Sequence, residues 1–270
     1  MIATVRHPAV AGRFYPGDRD SLLADLNSYL SPPEAPVAAL GCVAPHAGYI
    51  YSGHVAGAVF ARLEVPSQCI VLCPNHTGHG QPLSIMTQGQ WETPLGNIAI
   101  AEQLAASLVN ACPELQEDSA AHRSEHAIEV QLPFLKARQP RVSFVPIALG
   151  TSRFESLAAM GDAIANVIAR QSERILIVAS SDMNHYESDP ITRVKDQKAI
   201  DRILALDPRG LYDTVIHEHI SMCGFGPTIA MLTASKKLGA TRAELVKYAT
   251  SGDISGDRDM VVGYAGLIVS

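Results

Sequence analysis

The sequence contains no apolar run near the roughly 20 residues that a bilayer-spanning helix needs, so no membrane-crossing segment is expected. It also lacks any Lys/Arg cluster, and its 27 acidic residues outnumber 21 basic ones for a formal charge of −6. Nothing in the sequence would track a phosphate backbone, and nucleic acid is not an expected partner. Paired zinc-knuckle spacing is missing from the five cysteines, Cys42, Cys69, Cys73, Cys112 and Cys223. Their odd number argues against a disulfide framework. The opening Met1-Ile2-Ala3-Thr4-Val5-Arg6 has neither the charged nor the apolar region of a signal peptide, so a cytoplasmic location is expected. There is no internal repeat, low-complexity tract or linker, and 270 residues read as one domain spanning 1–270.

What the sequence does contain is one pattern, used three times. Leu40 to Val43 runs into Ala44-Pro45-His46-Ala47-Gly48, and Ile70 to Cys73 runs into Pro74-Asn75-His76-Thr77-Gly78. Ile175 to Ala179 runs into Ser180-Ser181-Asp182-Met183-Asn184-His185. Each is a buried-type strand that releases a histidine at its carboxyl end, where ligands gather in open α/β sheets. A lone histidine of this kind is well explained as a turn cap. Three at equivalent strand ends converge if the strands are neighbours in a parallel sheet.

Helices are expected over Asp18–Leu30, Ser52–Leu63, Ala101–Asn110, Phe154–Ala169, Val194–Leu206, Pro208–His217 and Gly226–Leu238. Ser31-Pro32-Pro33-Glu34-Ala35-Pro36 should stop the first, and Gly53, Ala56, Gly57 and Ala58 should let the second pack closely on the sheet. Further strands are expected over Val142–Leu149, Leu245–Ala249 and Val261–Val269, with a hairpin-like edge excursion between Pro82 and Ile100. Ser124 reads as the N-cap of a helix that places Ile128, Leu132 and Leu135 on one stripe and His126 with Glu129 on another. Alternating strands and helices predict an α/β fold, a three-layer sandwich with a mostly parallel central sheet.

Several residues carry two readings. A helical turn after the third strand would bring Asp182 and His185 together as a proton shuttle; the alternative is an Asp that caps the turn beside an exposed His. His126 and Glu129 either hold the spare N–H of ligating imidazoles or form a helix-surface pair. Tyr49 and Tyr51 either line a pocket or pack. His54, His79, His122, His217 and His219 are read as surface or turn residues. Cys69 and Cys73 behave as small hydrophobes inside a strand. Cys223 differs, lying in the glycine-rich turn Ser221-Met222-Cys223-Gly224-Phe225-Gly226-Pro227.

These motifs, in this order and with His7-Pro8-Ala9-Val10-Ala11-Gly12-Arg13-Phe14-Tyr15-Pro16, Glu125-His126-Ala127-Ile128-Glu129-Val130-Gln131-Leu132-Pro133-Phe134 and Ser251-Gly252-Asp253-Ile254-Ser255-Gly256-Asp257, resemble the MEMO family. Its microbial branch is called AmmeMemoRadiSam system protein B. The resemblance covers almost the whole chain and implies a fold similar to the LigB-like class III extradiol dioxygenases, which are non-haem iron enzymes. It implies a metal, iron or copper, held by two histidines and a cysteine that fall by motif on His46, His76 and Cys223. The acid/base histidine of the dioxygenases falls by position on His185, with Asp182 beside it. Two imidazoles and a thiolate also suit zinc, and the soft sulfur shifts metal preference and redox behaviour away from a set with one carboxylate. Implied, then, is redox or oxygenase-type chemistry on an unknown small molecule. A non-catalytic adaptor whose cleft binds a peptide or protein is the alternative, and metal-dependent hydrolysis a third reading. The branch name implies association with AMMECR-type and radical SAM proteins.

Overall fold

The computed structural model describes residues 4–30 and 36–270. In chain order, its first half holds β1 (Val5–Arg6), α1 (Arg19–Tyr29), β2 (Gly41–Ala44), α2 (Tyr49–Arg62), β3 (Gln68–Pro74), β4 (Leu83–Ile85), β5 (Gln90–Trp91), β6 (Ile98–Ala99), α3 (Glu102–Ala111) and β7 (Gln116–Glu117). There follow α4 (Leu132–Arg138), β8 (Ser143–Leu149), α5 (Phe154–Ile168), β9 (Ile175–Ser180), β10 (His185–Glu187), α6 (Asp189–Leu204) and α7 (Pro208–His217). The last elements are α8 (Phe225–Lys237), β11 (Ala243–Thr250), α9 (Gly252–Ser255) and β12 (Val261–Val269). The proline-rich stop expected after α1 lies, over residues 31–35, outside the described residues.

Runs of Val, Ile, Leu and Cys without polar alternation must be covered on both faces, and four of them lie side by side as the parallel neighbours β2, β9, β3 and β8. Antiparallel β12 extends this centre beside β2, and antiparallel β4 extends it beside β8. β10 and β11 pair with β12, and β7 pairs with β4. Helices α1, α2 and α4 pack together on one face. α8 lies across β2, β9 and β3 on the other, backed by α5 and α7. The fold is α/β, with a mostly parallel central sheet between helical layers.

Four expectations are corrected. The glycines of α2 serve helix-on-helix packing instead of contact with the sheet, because a Cβ at Gly57 would stand 2.4 Å from the Tyr29 Cβ of α1. The hairpin expected between Pro82 and Ile100 forms as the antiparallel pair β5 and β6, but it joins β1 in a small separate sheet, and only β4 extends the main sheet. Ser124–Leu135 is not one helix, since a 3-10 turn over Glu129–Gln131 precedes α4. Here the Glu125 carboxylate binds the Ala127 N–H, at 3.0 Å, in place of a helical ladder. Finally, His122 is no surface residue. It is fully buried edge-on to Trp91, and burial pushes its pKa down to about 4, so it stays neutral.

Candidate metal centre

β9 lies between β2 and β3, so the loops after all three strands open at one edge of the sheet. His46 follows β2, His76 follows β3, and Asp182 and His185 follow β9. Cys223 comes from elsewhere, on the turn leading into α8. That turn reaches the strand ends because Gly224 lacks a side chain: a Cβ there would stand 2.4 Å from both the Ser180 carbonyl oxygen and the Ser181 Cβ. His46, His76 and Cys223 thereby present ligand-competent atoms within 4.8 Å of one another.

The hydrogen bonds around His46 fix its tautomer. The Ser180 hydroxyl donates to the Ala127 carbonyl, at 2.7 Å, so its oxygen is left to accept from Gln131 Nε2, at 2.8 Å, and from His46 Nδ1, at 2.9 Å. Nε2 of His46 therefore carries a bare lone pair, and it points at Cys223 Sγ, 3.2 Å away. Burial holds the His46 pKa well below its ordinary value, with the neighbouring His126, His76 and His185 adding to the effect. His46 is thus neutral and ready to ligate.

Glu125 does the equivalent work for His76. Its carboxylate accepts the backbone N–H of His76, at 2.6 Å, and the ring Nδ1–H, at 2.9 Å, which leaves Nε2 free. Burial alone would lower the His76 pKa, but the bond to Glu125 and its charge outweigh this and raise it. Glu125 itself is pushed up by burial and pulled further down by His76 and the Ala127 N–H, so it is held ionised. His76, Glu125 and His126 also cluster closely enough to hold an ion. Glu125 already accepts three hydrogen bonds, however, and is better suited to orient His76 than to ligate.

Asp182 organises the centre through the backbone. Its Oδ1 accepts the backbone N–H of His46, at 2.7 Å, while its own N–H donates to Cys223 Sγ, at 3.3 Å. The expected helical turn is absent; residues 181–184 form no helix before β10, so the two side chains are not stacked by helical spacing. Burial raises the Asp182 carboxyl, while the His46 and Ala47 N–H groups and the charge of His185 pull it back. Burial and the adjacent Asp182 charge push the Cys223 thiol well above its usual pKa, so without metal it is protonated.

His185 donates Nδ1–H to the Ser221 carbonyl, at 2.9 Å, which leaves Nε2 as an acceptor in a cleft of about 580 Å³. A bulge where β10 meets β12 and a left-handed Tyr186, φ 61°, accompany this placement. His46, His76, His126, Asp182, His185 and Cys223 all line the cleft. Of the other candidates, Tyr49 lies outside it, buried with its hydroxyl donating to the Val130 carbonyl. Glu129 is also outside, gripping Arg6 and the N-terminal loop. Glu125, Ser180 and Gln131 went unassigned in the sequence, although all three stand in motifs quoted above.

The donor set fits a transition metal. Bonds of about 2.0–2.3 Å at tetrahedral angles put neighbouring ligand atoms some 3.3–3.6 Å apart, and the 3.2 Å between His46 Nε2 and Cys223 Sγ lies close to that.

Residues 6–268 match the Memo-like protein family. A MEMO1 family protein of Methanosarcina barkeri is 45% identical over 98% of this chain and 100% of its own length. One from Methanopyrus kandleri is 42% identical, covering 97% of this chain and 98% of its own. The fold is also similar to the crystal structure of an uncharacterized Escherichia coli K12 protein, with a TM-score of 0.60 at 13% identity over 84% of this chain and 98% of that one. With a family match across nearly its whole length and relatives this similar, the chain belongs to the MEMO family.

Proposed function

We propose that this MEMO-family protein binds iron or copper through His46 Nε2, His76 Nε2 and Cys223 Sγ and carries out redox or oxygenase-type chemistry on a small substrate in the adjoining cleft. The observation that carries the reading is that three donors from three distant segments converge with their other ring nitrogens already tied back, to Ser180 and to Glu125. A structural cluster has no need of three donors held within 4.8 Å of one another with their lone pairs free. Such a metal supplies one-electron chemistry and a binding position for an oxygen-bearing ligand.

In this reading the protein's own groups do the rest. Asp182 fixes the His46 backbone and, through its N–H, steadies sulfur as a thiolate. His185 Nε2, fixed as an acceptor by Ser221, takes a proton from a substrate bound in the cleft. Zinc fits the same donors, and with zinc the chemistry would be hydrolytic.

The test is anaerobic purification with elemental analysis of the wild type and of Cys223→Ser. One iron or copper per chain, lost in the variant while circular dichroism is unchanged, is the expected result. Equal metal content in both proteins, or none in either after reconstitution, would overturn the assignment.

A further inference from the structure

Beside the metal cleft lies a second cavity of about 800 Å³, and Phe14 and His126 line both. Their rings meet edge-on at 4.9 Å, so the two spaces adjoin across one aromatic contact. Pro8, Val10 and Met86 give the second cavity an apolar wall, Ser119 and Ser124 add hydroxyls, and the exposed Arg13 and Arg123 also line it. Its charge is one-sided. In a chain of net charge −6, no aspartate or glutamate lines this cavity among the described residues. Arg6, which also lines it, is neutralised by Glu129, and His7 pairs with Glu92 at 2.5 Å. Arg13 and Arg123 have no such partner. They are exposed, come from segments 110 positions apart (123 − 13), and make no side-chain hydrogen bond or ion pair among the described residues. Two guanidiniums without partners, lining one cavity beside an apolar wall, suit an oxyanion attached to an apolar body.

We infer that this groove binds the oxyanion end, carboxylate or phosphate, of the molecule whose reacting end enters the His46, His76 and Cys223 cleft. The role of the reacting end rests on the function proposed above; the anion site does not, because none of the three proposed ligands lines it. Phe14 and His126 then stand against the middle of the substrate, and the arginines set its direction.

Calorimetry on the chelated, metal-free protein tests this, with phenylacetate, inorganic phosphate and neutral phenylacetamide as probes. One of the two anions should bind saturably at one site and weaken as salt is raised, and which one does so separates carboxylate from phosphate recognition. The amide should bind at least about tenfold more weakly. Arg13→Gln and Arg123→Gln should each weaken the anion by about tenfold or more, with the fold and metal uptake unchanged because both side chains are exposed. Anion binding that ignores both substitutions, or that appears only after metal is restored, would overturn the inference, as would the absence of saturable binding by either anion. Arginine-dependent binding in a protein that takes up no metal would support the groove and refute only the metal reading.

Discussion

Glu125 and Glu129 stand four residues apart in one stretch, both fully buried and both loaded with hydrogen bonds. Glu129 accepts from Arg6, from the Ala9 and Val10 N–H groups at 2.8 and 2.9 Å, and from the Tyr15 hydroxyl at 2.9 Å. Glu125 accepts from His76 and Ala127. The residue type and the burial are the same; the partners differ in kind. A guanidinium is permanently charged, so Glu129 is a fixed clasp on the N-terminal loop. An imidazole titrates and can ligate, so Glu125 couples its charge to whatever His76 does. Neither burial nor motif membership separates the two roles; the chemistry of the partner does.

Removing each acid in turn tests the contrast. Glu129→Ala leaves Arg6 buried without its counter-charge and should cost about 3–5 kcal/mol in chemical denaturation, while the folded fraction binds metal as tightly as wild type. A loss of metal affinity without a loss of stability would reverse the two assignments. Glu125→Gln should lower metal affinity by about ten- to a hundredfold in competition with a chelator, with a smaller stability loss of about 1–3 kcal/mol. Unchanged affinity would reduce Glu125 to a turn residue.

The pH dependence sharpens the same contrast. The His76 pKa is raised in the fold, so the ion pair with Glu125 contributes stability that is fully present below the ordinary histidine value of about 6.5 and is lost as pH rises through the raised one. The destabilisation by Glu125→Gln should therefore be larger at pH 5.5 than at pH 9, and NMR titration of metal-free protein should show the His76 pKa falling in that variant but not in Glu129→Ala. A penalty independent of pH would detach Glu125 from His76. The smallest effect belongs to Tyr15→Phe, which removes one of four donors to Glu129 and should cost about 1–2 kcal/mol, with metal binding untouched.

The central strands and three of the histidines that line the cleft are legible because they are local. An apolar run closed by Pro or Gly marks its own end, and three such runs placed His46, His76 and His185 before any tertiary contact was known. The rest depended on distant partners. Helical spacing suggested pairing His126 with Glu129, but Glu129 answers to Arg6, 123 residues away, and so its helical stripe misled. Of the two readings open for Asp182 and His185, the helical turn does not form: His185 opens a strand and pairs with Val262 on β12. His122 was set outside because nothing adjacent marks it for burial under Trp91. Glu125 lay in plain view within its motif, and only the fold shows that it meets His76.

The order of the strands has a consequence for how the protein is made. β9 sits between β2 and β3 but is synthesised long after both, about a hundred residues beyond the end of β3, and the turn carrying Cys223 follows later still. While the ribosome is still extending the chain, His46 and His76 have no wall between them, no Ser180 to fix a tautomer, and no sulfur. Pairings of such long sequence separation form late, after the loop-closure entropy has been met. On the metal-binding reading proposed above, an ion would enter a finished pocket and would not guide the nascent chain, and a cell short of that metal would hold folded, empty protein.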